Sequence, residues 1–492
     1  MSLSKARLRP FFVPLLLAYL SSSFAAQAAE VAHPTVTRDA TNVRLQAQKL
    51  TLPNGLEVIL HQDHSLPRVA INIWYRVGPV NQPKGRSGFA HLFEHLMFEG
   101  SKHAGREFDH LLEAAGATNV NGTTSWDRTN FFETLPSEYL ELGLWLESDR
   151  MGFLLDVINQ ERLDVQREVV LNERRQSYEN APYGASYLAL VNAIYPEGHP
   201  FHDAAIGSVA DIQAATLADV EDFFRRFYSP SNATLTLAGD FDVDRATALI
   251  KRYFGTLPSQ PALPRPAPPC SLVKTPHCRV DFPVRLPKAQ TLTVKDAVSL
   301  PEIAVAWATP AAFSDDDLAL DLASVILAEG KTSRLYKALV IDQRLASSVS
   351  AWVDSTSTDS MFQVSAMGTF AGDHRKLEQS LLSELEKLRR DGPTELEVAR
   401  AQHKLLLSTL SDLQLLNGSG GESGRAGTLQ RLNHYLGSPT HLQTWLTRVG
   451  ELTKTDILRA LQKHAGPEHR VIVRTVPNST PPNPTPAKGG TP

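Results

Sequence analysis

Two histidines and a glutamate fall within five residues of one another in the otherwise apolar stretch GFAHLFEHLMFEG, residues 88–100. In a helix, His91 and His95 lie one turn apart on the same face, so both imidazoles can reach one metal ion. Glu94 lies near that face without having to bind the ion. The order reverses the familiar His-Glu-x-x-His motif and remains usable by zinc. The alternative is a chance match, expected on the order of a few per cent of the time among 16 histidines.

A zinc site with two histidines needs a third protein ligand and an open position for water, and a carboxylate is a common third ligand. The helix-like segment 159–178 (NQERLDVQREVVLNERRQSY) offers Glu161, Glu168 and Glu173. Charged side chains on a helix usually form a solvated face. Composition alone therefore does not choose among these three glutamates.

The elements around the motif occur twice along the chain. Residues 69–77 (VAINIWYRV) alternate as a two-faced strand before the motif helix, and residues 303–308 (IAVAWA) alternate likewise before an apolar periodic segment at 316–328. Each half ends in a helix with a threonine N-cap, Thr216 or Thr453, and then a β-rich run. The repeat predicts two related α+β domains.

The predicted domains cover residues 45–257 and 288–476, and a proline-rich linker at 258–287 joins them. Residues 477–492 have too little apolar content to pack and are predicted to form a disordered tail. The only two cysteines, Cys270 and Cys278, lie in the linker, where a local disulfide and two free thiols both remain open.

The N-terminus has the pattern of a cleaved secretory signal at residues 1–28. Two arginines precede the apolar run 10–20, and small residues follow at 26–28. This pattern predicts export to the periplasm or the medium, with an uncleaved anchor as the alternative. No later apolar stretch is long enough to span a bilayer, so no stable membrane insertion is expected. The formal net charge of -4 gives no case for nucleic-acid binding.

Four short runs carry a family resemblance: GFAHLFEH at 88–95, NGTTS at 121–125, REVVLNE at 167–173 and PSNATL at 230–235. In this order they resemble the pitrilysin/insulinase metallopeptidases, or inverzincins, in particular the branch of mitochondrial processing peptidase and its bacterial relatives. Ordered matches over nearly the whole mature chain are more specific than one motif. The resemblance implies an α+β fold in which two domains, each a mainly antiparallel sheet covered by helices, face each other as a half-clamshell.

The resemblance also implies roles for individual residues. Glu173 would be the third zinc ligand beside His91 and His95, and Glu168 only its helix neighbour. Zinc would activate a water and polarise the scissile carbonyl, while Glu94 would accept the proton of the water as catalytic base. The family holds substrate as an added strand at the positions of Asn121 and Gly122, where Gly122 replaces the usual alanine.

The chain departs from the family pattern in both halves. Gln166 occupies a position where the family usually has glutamate. In the second domain, Val340 and Ser347 occupy the positions of an arginine and a tyrosine that grip substrate in active single-chain relatives. Arg344 is nearby but lies elsewhere in the pattern. The contribution of these groups therefore cannot be carried over from the family.

The second domain also lacks a counterpart of the metal motif. Opposite His91, Glu94 and His95 the repeat offers Asp321, Ser324 and Val325, so about one Zn²⁺ per chain is expected.

Two functions are consistent with the sequence: an exported zinc endopeptidase that hydrolyses peptides or unfolded protein segments, and a non-catalytic peptidase-like scaffold subunit. The intact metal motif favours the enzyme. The missing arginine and tyrosine predict a heterodimer with a related chain that supplies both. A homodimer and a monomer that clamps substrate with Arg344 are the alternatives. Recognition of main chain by strand addition reads side chains loosely, so the sequence does not identify the substrate.

Overall fold

The computed structural model describes residues 43–105, 108–261, 263, 286–370 and 373–478. The predicted signal peptide, most of the linker with Cys270 and Cys278, and nearly all of the predicted tail lie outside these residues. The described part of the chain is an α+β structure built on two sheets.

The first sheet has six strands in the order β1-β2-β6-β3-β5-β4, which leaves β4 at one edge. Its strands are β1 (Gln48–Thr51), β2 (Glu57–Gln62), β3 (Arg68–Tyr75), β4 (Thr118–Ser125), β5 (Arg128–Pro136) and β6 (Ala233–Gly239). Strands β3, β5 and β6 are buried almost throughout, because helices cover one face and chain from the second half covers the other. The strand predicted at 69–77 is β3, displaced by one residue at its start and two at its end.

The second sheet has five strands in the order β7-β11-β8-β10-β9. Its strands are β7 (Gln290–Asp296), β8 (Glu302–Pro310), β9 (Ala346–Asp354), β10 (Asp359–Gly368) and β11 (Val471–Pro477). The strand predicted at 303–308 is β8, and β11 includes Pro477, the first residue of the predicted tail.

Both sheets follow one topology. In the first sheet β2 pairs in parallel with β6, and β6, β3, β5 and β4 then pair antiparallel. In the second sheet β7 pairs in parallel with β11, and β11, β8, β10 and β9 pair antiparallel. The duplicated, mainly antiparallel α+β plan expected from the sequence is therefore confirmed, with β1 as an addition to the first copy.

Helices fill the intervals between strands. In the first half they are α1 (Phe89–Leu96), α2 (Phe108–Ala114), α3 (Leu140–Phe153), α4 (Gln160–Arg174), α5 (Gly184–Ile194), α6 (Val209–Gln213), α7 (Leu217–Phe227) and α8 (Val243–Phe254). In the second half they are α9 (Asp315–Ala328), α10 (His374–Asp391), α11 (Glu395–Asp412), α12 (Gly424–Leu436), α13 (Leu442–Glu451) and α14 (Lys454–His464). Within the described ranges, none of these helices combines the length and apolar character needed to cross a bilayer.

The predicted threonine caps are confirmed. The side chain of Thr216 accepts a hydrogen bond from the backbone N–H of Asp219 at the start of α7, and Thr453 does the same with Asp456 at the start of α14. Each aspartate returns a bond to the threonine N–H, so two otherwise unpaired donors are satisfied at each helix start.

One helix from each half packs against the sheet of the other half. Helix α5 packs against β7, β8 and β11 of the second sheet, and α12 packs against β3 and β6 of the first sheet. Gln430 on α12 donates hydrogen bonds to the carbonyls of Asn72 and Thr234, at 2.8 and 2.7 Å. The domain boundaries predicted from the sequence, 45–257 and 288–476, stay a prediction. Helices α5 and α12 each pack against the sheet of the other predicted domain.

Candidate metal centre

The helix that carries the motif begins at a glycine that no other residue could replace without strain. Gly88, the N-cap of α1, has φ +86°, and a Cβ at this position would lie 2.8 Å from the carbonyl oxygen of Ile206. Helix α1 buries its apolar residues in the first core, where the ring of Phe93 stacks on Phe223 and Tyr228. This packing leaves His91, Glu94 and His95 on the side that faces α4 and β4.

Helix α4 brings the third side chain. Asn159 caps it by accepting a hydrogen bond from the N–H of Arg162, and buried leucine and valine residues hold the helix against the core. Near its C-terminal end, Arg174 donates to the carbonyl of Gly207 at 2.6 Å. A π-helical turn, Arg175–Glu179, follows directly, a local distortion that is frequent at functional sites.

His91, His95 and Glu173, here called the donor set, are the one group of three or more His, Cys, Asp or Glu side chains in the described ranges whose ligand atoms lie within 4.8 Å of one another. The Nε2 of His95 lies 3.1 Å from Glu173 Oε2, and the Nε2 of His91 lies 3.7 Å from Glu173 Oε1. Tetrahedral zinc with bonds near 2.0–2.1 Å requires ligand atoms about 3.3 Å apart. Two imidazole nitrogens and a carboxylate at these separations fit zinc in both spacing and donor chemistry.

The electrostatics of the donor set also suit a cation. Burial, and then the neighbouring His95, lower the pKa of His91 to about 4, so its imidazole is neutral at pH 7 and has a free lone pair. The hydrogen bond with His95 is the main cause that lowers the pKa of Glu173, which stays ionised. Neutral histidine and ionised carboxylate are the forms that bind metal.

Glu94 is buried beside the donor set and belongs to a different hydrogen bond. Thr124 on β4 donates its hydroxyl to Glu94 Oε2 at 2.6 Å. Burial raises the pKa of Glu94, while this hydrogen bond and the charges of His95 and Arg128 lower it. The structure thus separates two carboxyl groups: Glu173 lies against the histidines, and Glu94 is held by Thr124 on β4.

Neither Thr124 nor Arg128 was expected as a site residue from the sequence. Thr124 lies within the NGTTS run, and strand alternation places it on the same face as Gly122. Strand alternation in that run, considered together with the motif helix, is the signal that could have identified Thr124 as a site residue. Arg128, the first residue of β5, is buried and donates to the side chains of Thr123 and Asn130. No motif marked it.

Asn121 and Gly122 lie on β4, at the edge of the first sheet where the family resemblance placed them. Asn121 is exposed, and a Cβ on Gly122 would lie 3.0 Å from the rings of Phe131 and Phe98. A cavity of about 510 Å³ opens beside this strand and is lined in part by Asn121, Glu94 and His95.

Other expected positions lie apart from the donor set. Glu161 and Glu168 are exposed on α4 and do not belong to it. Gln166, at the usual glutamate position, donates to Glu99 Oε1 at 2.5 Å and lines the same cavity. Its side chain is a neutral amide at this position.

The second half contributes no described contact to the donor set. Val340 lies in a π-helical turn, and the Ser347 hydroxyl donates to the carbonyls of Met367 and Gly368 in its own sheet. Arg344 is exposed in the next loop with φ +54°. Asp321, opposite His91 in the repeat, lines another cavity with Arg431.

Two family profiles match the chain. One, described as Insulinase (Peptidase family M16), matches residues 57–195, which contain the whole donor set and Glu94. The other, described as Peptidase M16 inactive domain, matches residues 214–405. The first matched region contains the candidate site. The second begins within the first half, before α7, and extends through β6 and α8 into the second half.

Named relatives agree with the profiles. The chain is 32% identical over 371 residues to a Helicobacter pylori protein named Zinc protease PqqE, with 75% of this chain and 80% of the relative covered. It is 25% identical to an uncharacterized zinc protease of Mycobacterium tuberculosis, over 85% of this chain and 91% of the relative.

Solved structures show the same fold. A crystal structure described as a protease from Helicobacter pylori superposes with a TM-score of 0.77 at 28% identity, over 88% of this chain and all of that chain. The first half of the periplasmic protease PqqL from Escherichia coli superposes with a TM-score of 0.68 at 18% identity, over 87% and 92% of the two chains.

Fold and site together define an α+β protein with two sheets of one topology and a candidate metal centre of two histidines and one carboxylate. The chain belongs to peptidase family M16, the insulinase family.

Proposed function

We propose that this chain is an exported zinc-dependent endopeptidase that hydrolyses peptides or unfolded protein segments, with the donor set holding about one zinc ion. The observation that carries the proposal is the convergence of His91, His95 and Glu173 beside a separately held Glu94. Relatives named zinc proteases support the metal and the reaction class. The test is hydrolysis of an unstructured, internally quenched peptide that stops on chelation and returns with added zinc.

Zinc in the donor set would supply Lewis acidity toward a nucleophilic water and the scissile carbonyl. The role of Glu94 follows from its position. Thr124 occupies its Oε2, so Oε1 is the oxygen directed to take a proton from the water and deliver it to the leaving amine. Burial raises the pKa of Glu94. A general base works best when its pKa lies near the pH at which the enzyme operates, so this shift suits the proposed role.

Strand β4 supplies the main-chain partner for substrate in this proposal. An edge strand offers unpaired N–H and C=O groups to an extended peptide. The side chain of Asn121 is exposed at that edge, and the small Gly122 lets the rings of Phe98 and Phe131 pack behind the strand. A peptide bound along β4 would cross the cavity that adjoins Glu94 and His95.

Thr124→Val is expected to reduce kcat by about 10- to 100-fold, because a hydrogen bond to a charged group contributes about 1.5–3 kcal/mol. Valine keeps the shape and removes the hydroxyl that orients Glu94. Steady-state kinetics should show the loss in kcat with little change in KM, and zinc content should be unchanged. Thr124→Ser, which keeps the hydroxyl, is the matched control and should recover most of the activity. Equal losses in both variants would point to packing instead of the hydrogen bond.

The oligomeric state is a further part of the proposal: the chain is the zinc-bearing subunit of a heterodimer. Val340 has no polar group, and the hydroxyl of Ser347 is engaged by two backbone carbonyls, so neither can stabilise the developing oxyanion. A related chain that lacks the zinc motif but carries arginine and tyrosine would complete the site. A homodimer and a monomer that uses the exposed Arg344 are the alternatives.

Co-expression with the most similar exported relative that lacks the zinc motif is expected to raise kcat/KM by several orders of magnitude over the isolated chain, given that oxyanion donors each contribute about 10²- to 10³-fold. The measurement uses one quenched peptide and a sizing column. Full activity from the isolated chain, eluting as a monomer, would refute the heterodimer. Loss of that activity in Arg344→Ala would then support the monomeric clamp.

Export is proposed from the N-terminal pattern of residues 1–28, and a relative described as a periplasmic protease supports it. The second candidate function, a non-catalytic scaffold, is favoured by the inactive-domain profile that matches residues 214–405. Zinc binding without hydrolysis, alone or with a partner, would decide for the scaffold.

A further inference from the structure

The position of strand β4 bears on the proposed reaction, because this strand carries Thr124, the hydrogen-bond donor to Glu94. Strand β4 lies at the edge of the first sheet, so it has a paired neighbour on one side only. Its pairing with β5 is also interrupted between Thr118 and Asn121. An interrupted edge strand is held by fewer backbone bonds than a central strand. Contacts from outside the sheet therefore matter for the position of Thr124.

The second half supplies such a contact through the glycine loop, defined here as residues 417–424 (NGSGGESG). The carbonyl of Gly420 accepts a hydrogen bond from the Thr123 hydroxyl on β4 at 3.2 Å. Gly421 has φ +65°, and a Cβ at this position would collide with the ring of Phe132 on β5. Glycine is therefore required for the loop to approach the first sheet this closely.

Arg128, the first residue of β5, joins the glycine loop to β4. Its side chain is 4% exposed, and its guanidinium carbon lies 4.8 Å from the ring centroid of Trp74 on β3. The Nη1 group donates to the Thr123 hydroxyl at 2.8 Å, and Nη2 forms an ion pair with Glu422 of the glycine loop. Because the guanidinium is planar and rigid, one side chain fixes these partners relative to one another.

Thr123 and Thr124 point to opposite faces of β4, because successive side chains of a strand alternate. The Thr123 hydroxyl contacts the glycine loop, and the Thr124 hydroxyl contacts Glu94 on α1. A displacement of the backbone at Thr123 would therefore also move the hydroxyl that orients Glu94. This segment of β4 is held from one side by the second half and from the other by the motif helix.

The turn that follows β4 is attached to the second half as well. The indole N–H of Trp126 donates to Asp354 at 2.7 Å. Asp127 is buried and accepts hydrogen bonds from the backbone N–H of Ser357 at 2.6 Å and from the Tyr435 hydroxyl at 3.2 Å. Contacts with the second half thus continue past the end of the strand.

We propose that Arg128 is a positioning residue for the proposed hydrolysis, and that Glu422 extends this role to the second half: together they hold β4 so that Thr124 orients Glu94. The inference rests on the proposed function, because it assigns positioning residues to the same site. A half of the chain that contains no member of the donor set then takes part in the reaction by fixing β4.

The first test is a double-mutant cycle on kcat, with zinc-loaded mature protein, its partner if one is required, and one quenched peptide. Arg128→Met keeps an aliphatic stem beside Trp74 and removes the guanidinium. It is expected to lower kcat by about 10-fold, because displacement of a catalytic group by about 1 Å can cost 10²-fold. KM should change little, because Asn121 and Gly122 keep their pairing with β5. In a Thr124→Val background the same substitution should change kcat by about 2-fold or less, because the hydrogen bond that it supports is already absent.

Glu422→Ala tests the contribution of the second half. The Glu422 side chain is 44% exposed, so loss of its ion pair should lower kcat by only about 2- to 5-fold. This loss should disappear in the Arg128→Met background, and equally in the Thr124→Val background, a cycle that remains available if Arg128→Met does not fold. Arg334→Met removes an ion pair with Glu397 elsewhere in the second half and should leave kcat unchanged.

Hydrogen exchange of backbone N–H groups gives a readout that needs no hydrolysis. Arg128→Met and Glu422→Ala are expected to speed exchange in peptides that cover β4, because the strand loses a contact that holds it. Exchange in peptides from α9, in the core of the second half, should stay at the wild-type rate. Mass spectrometry of the same samples used for kinetics makes the comparison direct.

The outcomes separate this proposal from the proposed function. Equal losses of kcat for Arg128→Met with and without Thr124→Val would overturn the positioning role, because Arg128 would then act independently of Thr124. Unchanged kcat and unchanged exchange in Arg128→Met would also overturn it. Absence of hydrolysis in wild type and all variants would reject the proposed function and with it the catalytic part of the inference, while faster exchange in β4 would still support the attachment of the strand by Arg128.

Discussion

Alanine at His91 or His95 is expected to empty the metal site and abolish zinc-dependent hydrolysis. Each substitution removes one of the two imidazoles that, with Glu173, form the donor set within 4.8 Å. The remaining pair cannot hold tetrahedral zinc against competing water. Elemental analysis of the purified mature protein should fall from about one zinc per chain to near background in both variants.

Thermal unfolding provides a second measurement of the same loss. Zinc that binds the folded chain stabilises it by about 4 kcal/mol when its concentration is roughly 1,000 times the dissociation constant. Chelator should therefore lower the Tm of wild type and leave the Tm of the His91→Ala and His95→Ala variants unchanged. His110→Ala, an exposed histidine outside the donor set, is the control and should behave as wild type. Full zinc occupancy in both histidine variants would reject the site.

Patterns among residues close in sequence predicted the motif helix and the helix caps. His91, Glu94 and His95 share one side of the segment if residues 89–96 are helical. The apolar periodicity of these residues and the N-cap glycine, Gly88, favour that helix. The threonine caps at Thr216 and Thr453 are equally local, because each depends on an aspartate three residues later. Such features depend on neighbours in sequence, which is why a single sequence reveals them.

Contacts between distant segments were not predictable in this way. The sequence of α4 does not distinguish three glutamates as metal ligands: Glu161, Glu168 and Glu173. The packing of α4 on α1 places only Glu173 at the histidines. The family resemblance selected Glu173 where the residues alone could not. The contact of Thr124 with Glu94 and the exchange of α5 and α12 between the halves are likewise tertiary.

The two carboxylates of the site should separate in a pair of isosteric variants. Glu94→Gln is expected to keep zinc, because Glu94 is outside the donor set, and to lose hydrolysis by at least about 10²-fold, because an amide cannot accept the proton of the water. Glutamine also retains an oxygen that can accept the Thr124 hydroxyl, so the fold around it is preserved.

Glu173→Gln should give the complementary result, because the neutral amide removes the anionic ligand that faces both histidines at 3.1 and 3.7 Å. Zinc affinity should fall by more than the roughly 10- to 100-fold that loss of an outer-sphere partner costs, and activity should recover in part as zinc is raised. Glu168→Gln on the same helix is the control for a lost surface charge. Zinc titration and kcat are measured on all three variants. If Glu94→Gln lost the metal while Glu173→Gln kept it and lost only kcat, the roles of the two carboxylates would be exchanged and the alignment with the family would be wrong.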